Sequence, residues 1–183
     1  MELLEGGTLK NYLENNFPLS IQQIKNIIMQ ICAGLKEIHS KNIIHRDIKT
    51  NNIMFDSLGK IRIMDFGLSK SNLVSAMTTL GTLVGTLGYV APEQVTNTNV
   101  DERTDIFSLG VVMYELATGT LPFNGENEIA LIHSIFNTIP SKPSSLNSLV
   151  PSELDNIILK CLNKDAAKRY TSIDELLAEL SQL

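Results

Sequence analysis

Apolar residues recur at Ile21, Ile24, Ile28, Ile31, Leu35 and Ile38, a spacing that predicts one long helix over residues 21–40 with a single buried stripe. Ser20 and Gln23 form a capping box at its start, with Pro18 just before. Lys41-Asn42 breaks the pattern, and Ile43-Ile44 follows as a short apolar pair. Residues 53–55 and 60–64 read as two short strands joined by the turn Asp56-Ser57-Leu58-Gly59. From residue 68 to 90 the chain is rich in Ser, Thr and Gly, and a loop of that length in a compact domain is usually functional or mobile. Residues 104–118 are apolar on nearly every side, which predicts a central, buried helix stopped by Gly119. Three more helices are expected over 126–136, 152–162 and 172–180, the last opened by a Ser172–Glu175 capping box. Pro140 and Pro143 mark the loop between the first two. The pattern is mainly α with one small β-hairpin.

Composition narrows the function classes. A chain of 183 residues with 43% hydrophobic content is enough for one globular core. The formal charge of −5, with no basic stripe, offers no surface to nucleic acid or to an anionic membrane. The longest apolar run, near residues 109–113, is far too short to span a bilayer, and the start has no secretory pattern, so a cytoplasmic protein is expected. Cys32 and Cys161 sit among apolar residues without metal-ligand spacing and read as buried, reduced thiols. His39 and His133 fall on predicted helices as structural or surface residues.

The candidate chemistry lies between the long helix and the hairpin, in His45-Arg46-Asp47-Ile48-Lys49-Thr50-Asn51-Asn52. An Asp followed five positions later by an Asn suits phosphoryl transfer. The Asp can orient a hydroxyl and take its proton, while the Asn carbonyl oxygen holds a metal ion. Lys49 can neutralise charge on a moving phosphoryl group. Asp65-Phe66-Gly67 ends the hairpin, where its carboxylate can meet Asn52 at one mouth, and Ala91-Pro92-Glu93 closes the Ser/Thr-rich loop.

In this order and with these gaps, the three segments resemble the eukaryotic-type Ser/Thr protein kinase family. Thr104-Asp105-Ile106-Phe107-Ser108-Leu109-Gly110 resembles its buried central helix, and the resemblance runs over the whole chain. It implies a kinase-like fold for residues 1–183: a helical C-terminal lobe beginning at the hinge, with the N-terminal β lobe absent. By position, Asp47 resembles the catalytic base, Lys49 the γ-phosphate lysine, and Asn52 and Asp65 the two Mg²⁺ ligands. Thr86 resembles the threonine that bonds the catalytic Asp and Lys; with Lys49 it implies Ser/Thr rather than Tyr acceptors. Arg46 resembles the arginine that gathers a phosphorylated activation loop, with Ser71, Ser75, Thr78, Thr79 and Thr82 as candidate phosphosites for an upstream kinase. His45 and Phe66 resemble members of a hydrophobic spine. Asp105 is expected to accept backbone N–H bonds from the catalytic loop, and Glu93 to form a buried pair with Arg169.

The resemblance also implies ATP and Mg²⁺ as cofactors and proteins as substrates. Met1 falls at the gatekeeper position, Glu2 and Leu4 at the hinge groups that meet adenine, and Met54 beneath the base. No Gly-rich phosphate loop precedes them, and Gly81, Gly85 and Gly88 have the wrong spacing for one. The chain by itself is therefore expected to bind ATP weakly or not at all. A non-catalytic binding module is the alternative, and a small-molecule phosphotransferase of the related fold a third reading. Ile48 and Thr50 stand where Leu and Pro are usual. Thr8 and Asn51 are not acidic, which argues against a preference for basic substrates.

Overall fold

The computed structural model describes residues 6–65 and 87–183. Its helices are α1 (Leu9–Asn16), α2 (Ile21–His39), α3 (Pro92–Thr96), α4 (Glu102–Thr118), α5 (Glu128–Asn137), α6 (Pro143–Leu146), α7 (Ser152–Cys161) and α8 (Ile173–Leu180). Strands β1 (Ile53–Phe55) and β2 (Ile61–Ile63) form an antiparallel pair in which Ile53 faces Ile63 and Phe55 faces Ile61. The architecture is the mainly α, kinase-like lobe expected from the pattern.

The capping residues set the helix starts. The Ser20 hydroxyl accepts the Gln23 amide N–H, and the Gln23 side-chain oxygen accepts that of Ser20, so two orphan donors of α2 are satisfied. In α8 only half the expected box forms. Ser172 accepts from Glu175, but the Glu175 carboxylate turns to the N–H and hydroxyl of Thr171. The chain before α8 supplies a nearer pair of donors, so the box shifts by one residue.

Helix α4 is the axis of the fold: every residue from Thr104 to Ala117 is buried. Helix α2 packs on α4, α8 and β2, while α4 also meets α6 and α7. The stripe Ile24, Ile28, Ile31 and Leu35 is buried, each side chain contributing about 1.5–3 kcal/mol. Ile21, at the capped start of the stripe, stays 38% exposed, and Ile27 and Cys32 widen the buried face instead. Gly110 allows α4 and α7 to touch, because a Cβ there would lie 2.6 Å from that of Cys161. Gly119 ends α4 in the left-handed conformation, φ 75°.

Two short helices stand where loops were expected. Pro92 begins α3 and Pro143 begins α6, each at the first turn, where proline's missing N–H is not needed. Burial pushes the Cys32 thiol up to about 12 and raises that of Cys161, so both remain protonated hydrophobes. His133 is exposed on α5, whereas the side chain of His39 is buried at the end of α2.

Candidate active site

Between α2 and β1 only Thr50–Asn52 forms a short 3-10 turn; the rest is irregular, so its shape must come from partners outside it. Asp105, wholly buried on α4, supplies the main ones. Its Oδ2 accepts the His45 backbone N–H and its Oδ1 that of Arg46, both at 2.8 Å. Its Oδ2 also accepts a bond from His39 Nε2 at 2.8 Å. Arg46 has a φ of +67°, a left-handed conformation that costs a non-glycine residue of order 1 kcal/mol. The Asp105 bonds and a bond from Gln94 Nε2 to the Arg46 carbonyl (2.9 Å) hold it there.

His45 is fully buried and reads the backbone with both ring nitrogens. Nε2 lies 3.0 Å from the Met64 carbonyl, and Nδ1 lies 3.3 Å from the Asp47 N–H. These distances fit the tautomer in which Nε2 donates and Nδ1 accepts. The ring thereby ties the segment holding Asp47 to the strand end before Asp65.

Asp47, Lys49 and Asn52 converge. Lys49 Nζ lies 3.2 and 3.1 Å from the two Asp47 carboxylate oxygens. Asn52 Nδ2 donates to the Asp47 carbonyl at 2.9 Å and to its Oδ2 at 2.8 Å. Asp47 and Lys49 side chains are each 15% exposed, partly screened yet open to a reactant. Beyond β1 and β2 the ladder gains one rung, from Met64 N–H to Asn52 C=O at 2.8 Å, which brings the residue before Asp65 alongside Asn52. Asp65 itself has φ +56°. With both amide hydrogens of Asn52 turned to Asp47, its carbonyl oxygen is the atom left for a cation. An amide oxygen and a carboxylate form the hard donor set that suits Mg²⁺.

Further out, Glu93 of α3 and Arg169 form a two-pronged pair, 2.7 Å (Nη1–Oε1) and 2.9 Å (Nη2–Oε2), with Thr104 donating to the same carboxylate at 2.9 Å. Burial works against the ionised form, but the Arg169 bonds and charge outweigh it and hold the Glu93 carboxyl below its usual range. Met54 lies on β1 and bridges to Thr8. Glu2, Leu4, Phe66, Ser71, Ser75, Thr78, Thr79, Thr82 and Thr86 lie outside the described residues, as does Met1. A cavity of about 510 Å³ lies beside His39, Ile43 and Glu102; Asp47, Lys49 and Asn52 do not line it.

The model of the protein kinase domain matches residues 1–180. The chain belongs to the protein kinase family. It is similar to the serine/threonine-protein kinase PrkC of Bacillus subtilis, 34% identical over 180 residues that are 98% of this chain and 28% of the relative. It is equally similar to the serine/threonine-protein kinase PknB of Mycobacterium leprae, 34% over 181 residues, 98% of this chain and 29% of the relative. The serine/threonine-protein kinase PknL of Mycobacterium tuberculosis is 31% identical over 183 residues, 100% of this chain and 46% of the relative. The chain thus spans less than half the length of these serine/threonine kinases. No helix among the described residues is long and apolar enough to cross a membrane.

Sequence reasoning overlooked several residues that shape this candidate site. Gln94 was hidden because its partner, the Arg46 carbonyl, carries no side-chain signal. His39 was read as structural or surface, and its buried bond to Asp105 depends on where α2 meets α4. Tyr89 and Glu115 form a buried polar cluster with Thr50, which the half-buried Lys10 joins from α1. The one available signal was Glu115, a carboxylate in the mostly apolar stretch 106–117 of α4.

Proposed function

We propose that these residues form the catalytic-loop lobe of a protein serine/threonine kinase that transfers the ATP γ-phosphate to protein Ser or Thr. The observation that carries the reading is the convergence of Asp47, Lys49 and Asn52 within hydrogen-bond distance. In this reading Asp47 orients the acceptor hydroxyl and receives its proton. Lys49, already beside Asp47, offsets negative charge on the transferring group. Asn52 and Asp65 would hold Mg²⁺, which when bound neutralises the phosphate oxygens. Glu2, Leu4 and Met54 would meet the adenine, and Thr86 would join Asp47 and Lys49. Arg46 would pair with a phosphate placed on Ser71, Ser75, Thr78, Thr79 or Thr82 by an upstream kinase. The 183-residue segment taken by itself binds Mg·ATP weakly, because in this fold class ATP is gripped from two lobes.

The test is phosphate transfer from labelled ATP to a generic Ser/Thr protein substrate by the natural full-length protein. Transfer to Ser or Thr that disappears in Asp47→Asn supports the reading. Transfer that survives Asp47→Asn, or label found on tyrosine alone, would sink it. For the isolated segment, thermal melting with millimolar Mg·ATP should leave the midpoint unmoved.

A further inference from the structure

Thr50 sits between Lys49 and Asn52 and is fully buried. Its hydroxyl lies 3.0 Å from the Tyr89 hydroxyl and 3.2 Å from Glu115 Oε2. Tyr89 donates to the same Glu115 oxygen. Glu115 lies three turns along α4 from the start of its buried stretch, and its side chain is 2% exposed. Its other oxygen, Oε1, receives the Lys10 ammonium from α1 at 2.9 Å.

The hydrogen count restricts how these groups can bond. Each hydroxyl has one hydrogen, so three short contacts among Thr50, Tyr89 and Glu115 cannot all be donated at once. With Tyr89 donating to Glu115, the Thr50 hydrogen goes to Tyr89 or to Glu115. Burial, and then the Glu115 charge, push the Tyr89 phenol up, so it keeps its proton and acts as a donor. The Tyr89 carbonyl is itself fixed by the Ser108 hydroxyl of α4 at 2.8 Å. One cluster therefore joins α1, the catalytic loop, α4 and the segment just before Pro92.

We propose that Thr50 is a positioning residue for phosphoryl transfer: its hydroxyl, held against Tyr89 and Glu115, fixes the loop that carries Lys49 and Asn52. Lys10 donates to the other Glu115 oxygen from α1 and so completes the clamp. A proline at position 50 could fill the space but could not make these bonds. The kinetic part of this inference rests on the kinase reading above; the clamp on the loop does not.

The experiment uses the natural full-length protein with Thr50→Val, which keeps the shape and removes the hydroxyl, together with Thr50→Ser and Lys10→Met. Hydrogen–deuterium exchange of the peptides covering residues 45–52 and 152–180 is read beside steady-state kinase kinetics. Thr50→Val is expected to speed exchange over 45–52 and leave 152–180 unchanged. It should lower kcat by about tenfold, the effect of one lost buried hydrogen bond, with the KM for ATP within about twofold. Thr50→Ser should restore both, and Lys10→Met should reproduce the direction at smaller amplitude. Unchanged exchange over 45–52 in Thr50→Val overturns the proposal, as does a loss that Thr50→Ser does not rescue. An inactive parent protein whose Thr50→Val form still exchanges faster over 45–52 would overturn the kinase reading and support the clamp.

Discussion

The carboxylate of Asp105 accepts the backbone N–H of Arg46 at 2.8 Å, although the two residues are 59 positions apart. A buried helix thereby shapes a stretch of chain, residues 43–48, that has no regular structure of its own. Because Oδ2 also receives the His45 N–H and His39 Nε2, both carboxylate oxygens are used as acceptors. Asp105→Asn would turn an amide N–H₂ toward one of these donors. The expected loss is about 3 kcal/mol, equivalent to a melting shift of roughly 6–12 °C in a domain of this size. Differential scanning fluorimetry checks it, and a midpoint within about 2 °C of the parent would contradict the account.

The Glu93–Arg169 pair should act on folding rather than on chemistry. Arg169 also donates to the carbonyls of Asn163, Arg103 and Lys164, at 2.7, 3.0 and 3.3 Å, so Arg169→Met removes a donor from five acceptor oxygens. Its expected cost is about 3–5 kcal/mol, read by urea denaturation. A double-mutant cycle with Glu93→Gln should show strong coupling, and simple additivity would rule the pair out as a unit.

The same pair sets an acid limb of stability. The folded-state pKa of Glu93 is depressed, so its stabilising contribution is fully present above the ordinary carboxylate value of about 4.3. That contribution is lost as pH falls through the lower folded value. Parent protein should therefore lose stability on acidification in this window more steeply than Arg169→Met; parallel curves would refute the assignment.

Lys164 gives the opposite sign. Burial, and then the neighbouring Arg169 charge, lower its ammonium to about 8, and Nζ sits 3.5 Å above the Phe123 ring without a hydrogen-bond partner among the described residues. Between that value and the unfolded one of about 10.4, the unfolded chain binds more protons, so folding gains stability as pH rises. Melting curves at about pH 7 and about pH 9.5 should show the parent gaining on Lys164→Met, a variant with no titrating group there. A constant difference between the two would exclude the shift.

Asp47 and Lys49 should separate chemistry from folding. Asp47→Asn is expected to cost about 10²–10⁴-fold in phosphate transfer while the melting point stays near that of the parent. If transfer falls only as far as stability does, Asp47 holds the loop and does not handle the proton.

Much of the fold was legible because local patterns and global packing agree here. The stripe along α2, the all-round apolar α4 and the hairpin turn at residues 56–59 each state their burial in their own periodicity. The starts of α3 and α6 were hidden because each is a single turn begun by proline, too short for a period to show. Of the candidate site, Asp47, Lys49 and Asn52 stood out because they are close in sequence and chemically unusual together.

By itself the sequence determined which residues could do chemistry and which faces are buried, since both follow from side-chain type and spacing along one stretch of chain. Only the tertiary structure decided who holds whom: that Asp105 shapes the turn at Arg46, that Gln94 bonds the Arg46 carbonyl, and that Lys10 and Thr50 meet at Glu115. These contacts join residues up to 105 positions apart. Two of them end on backbone groups that every residue shares and two join side chains far apart in the chain, so no spacing rule announces them; they exist only once α1, α3 and α4 are packed around the loop.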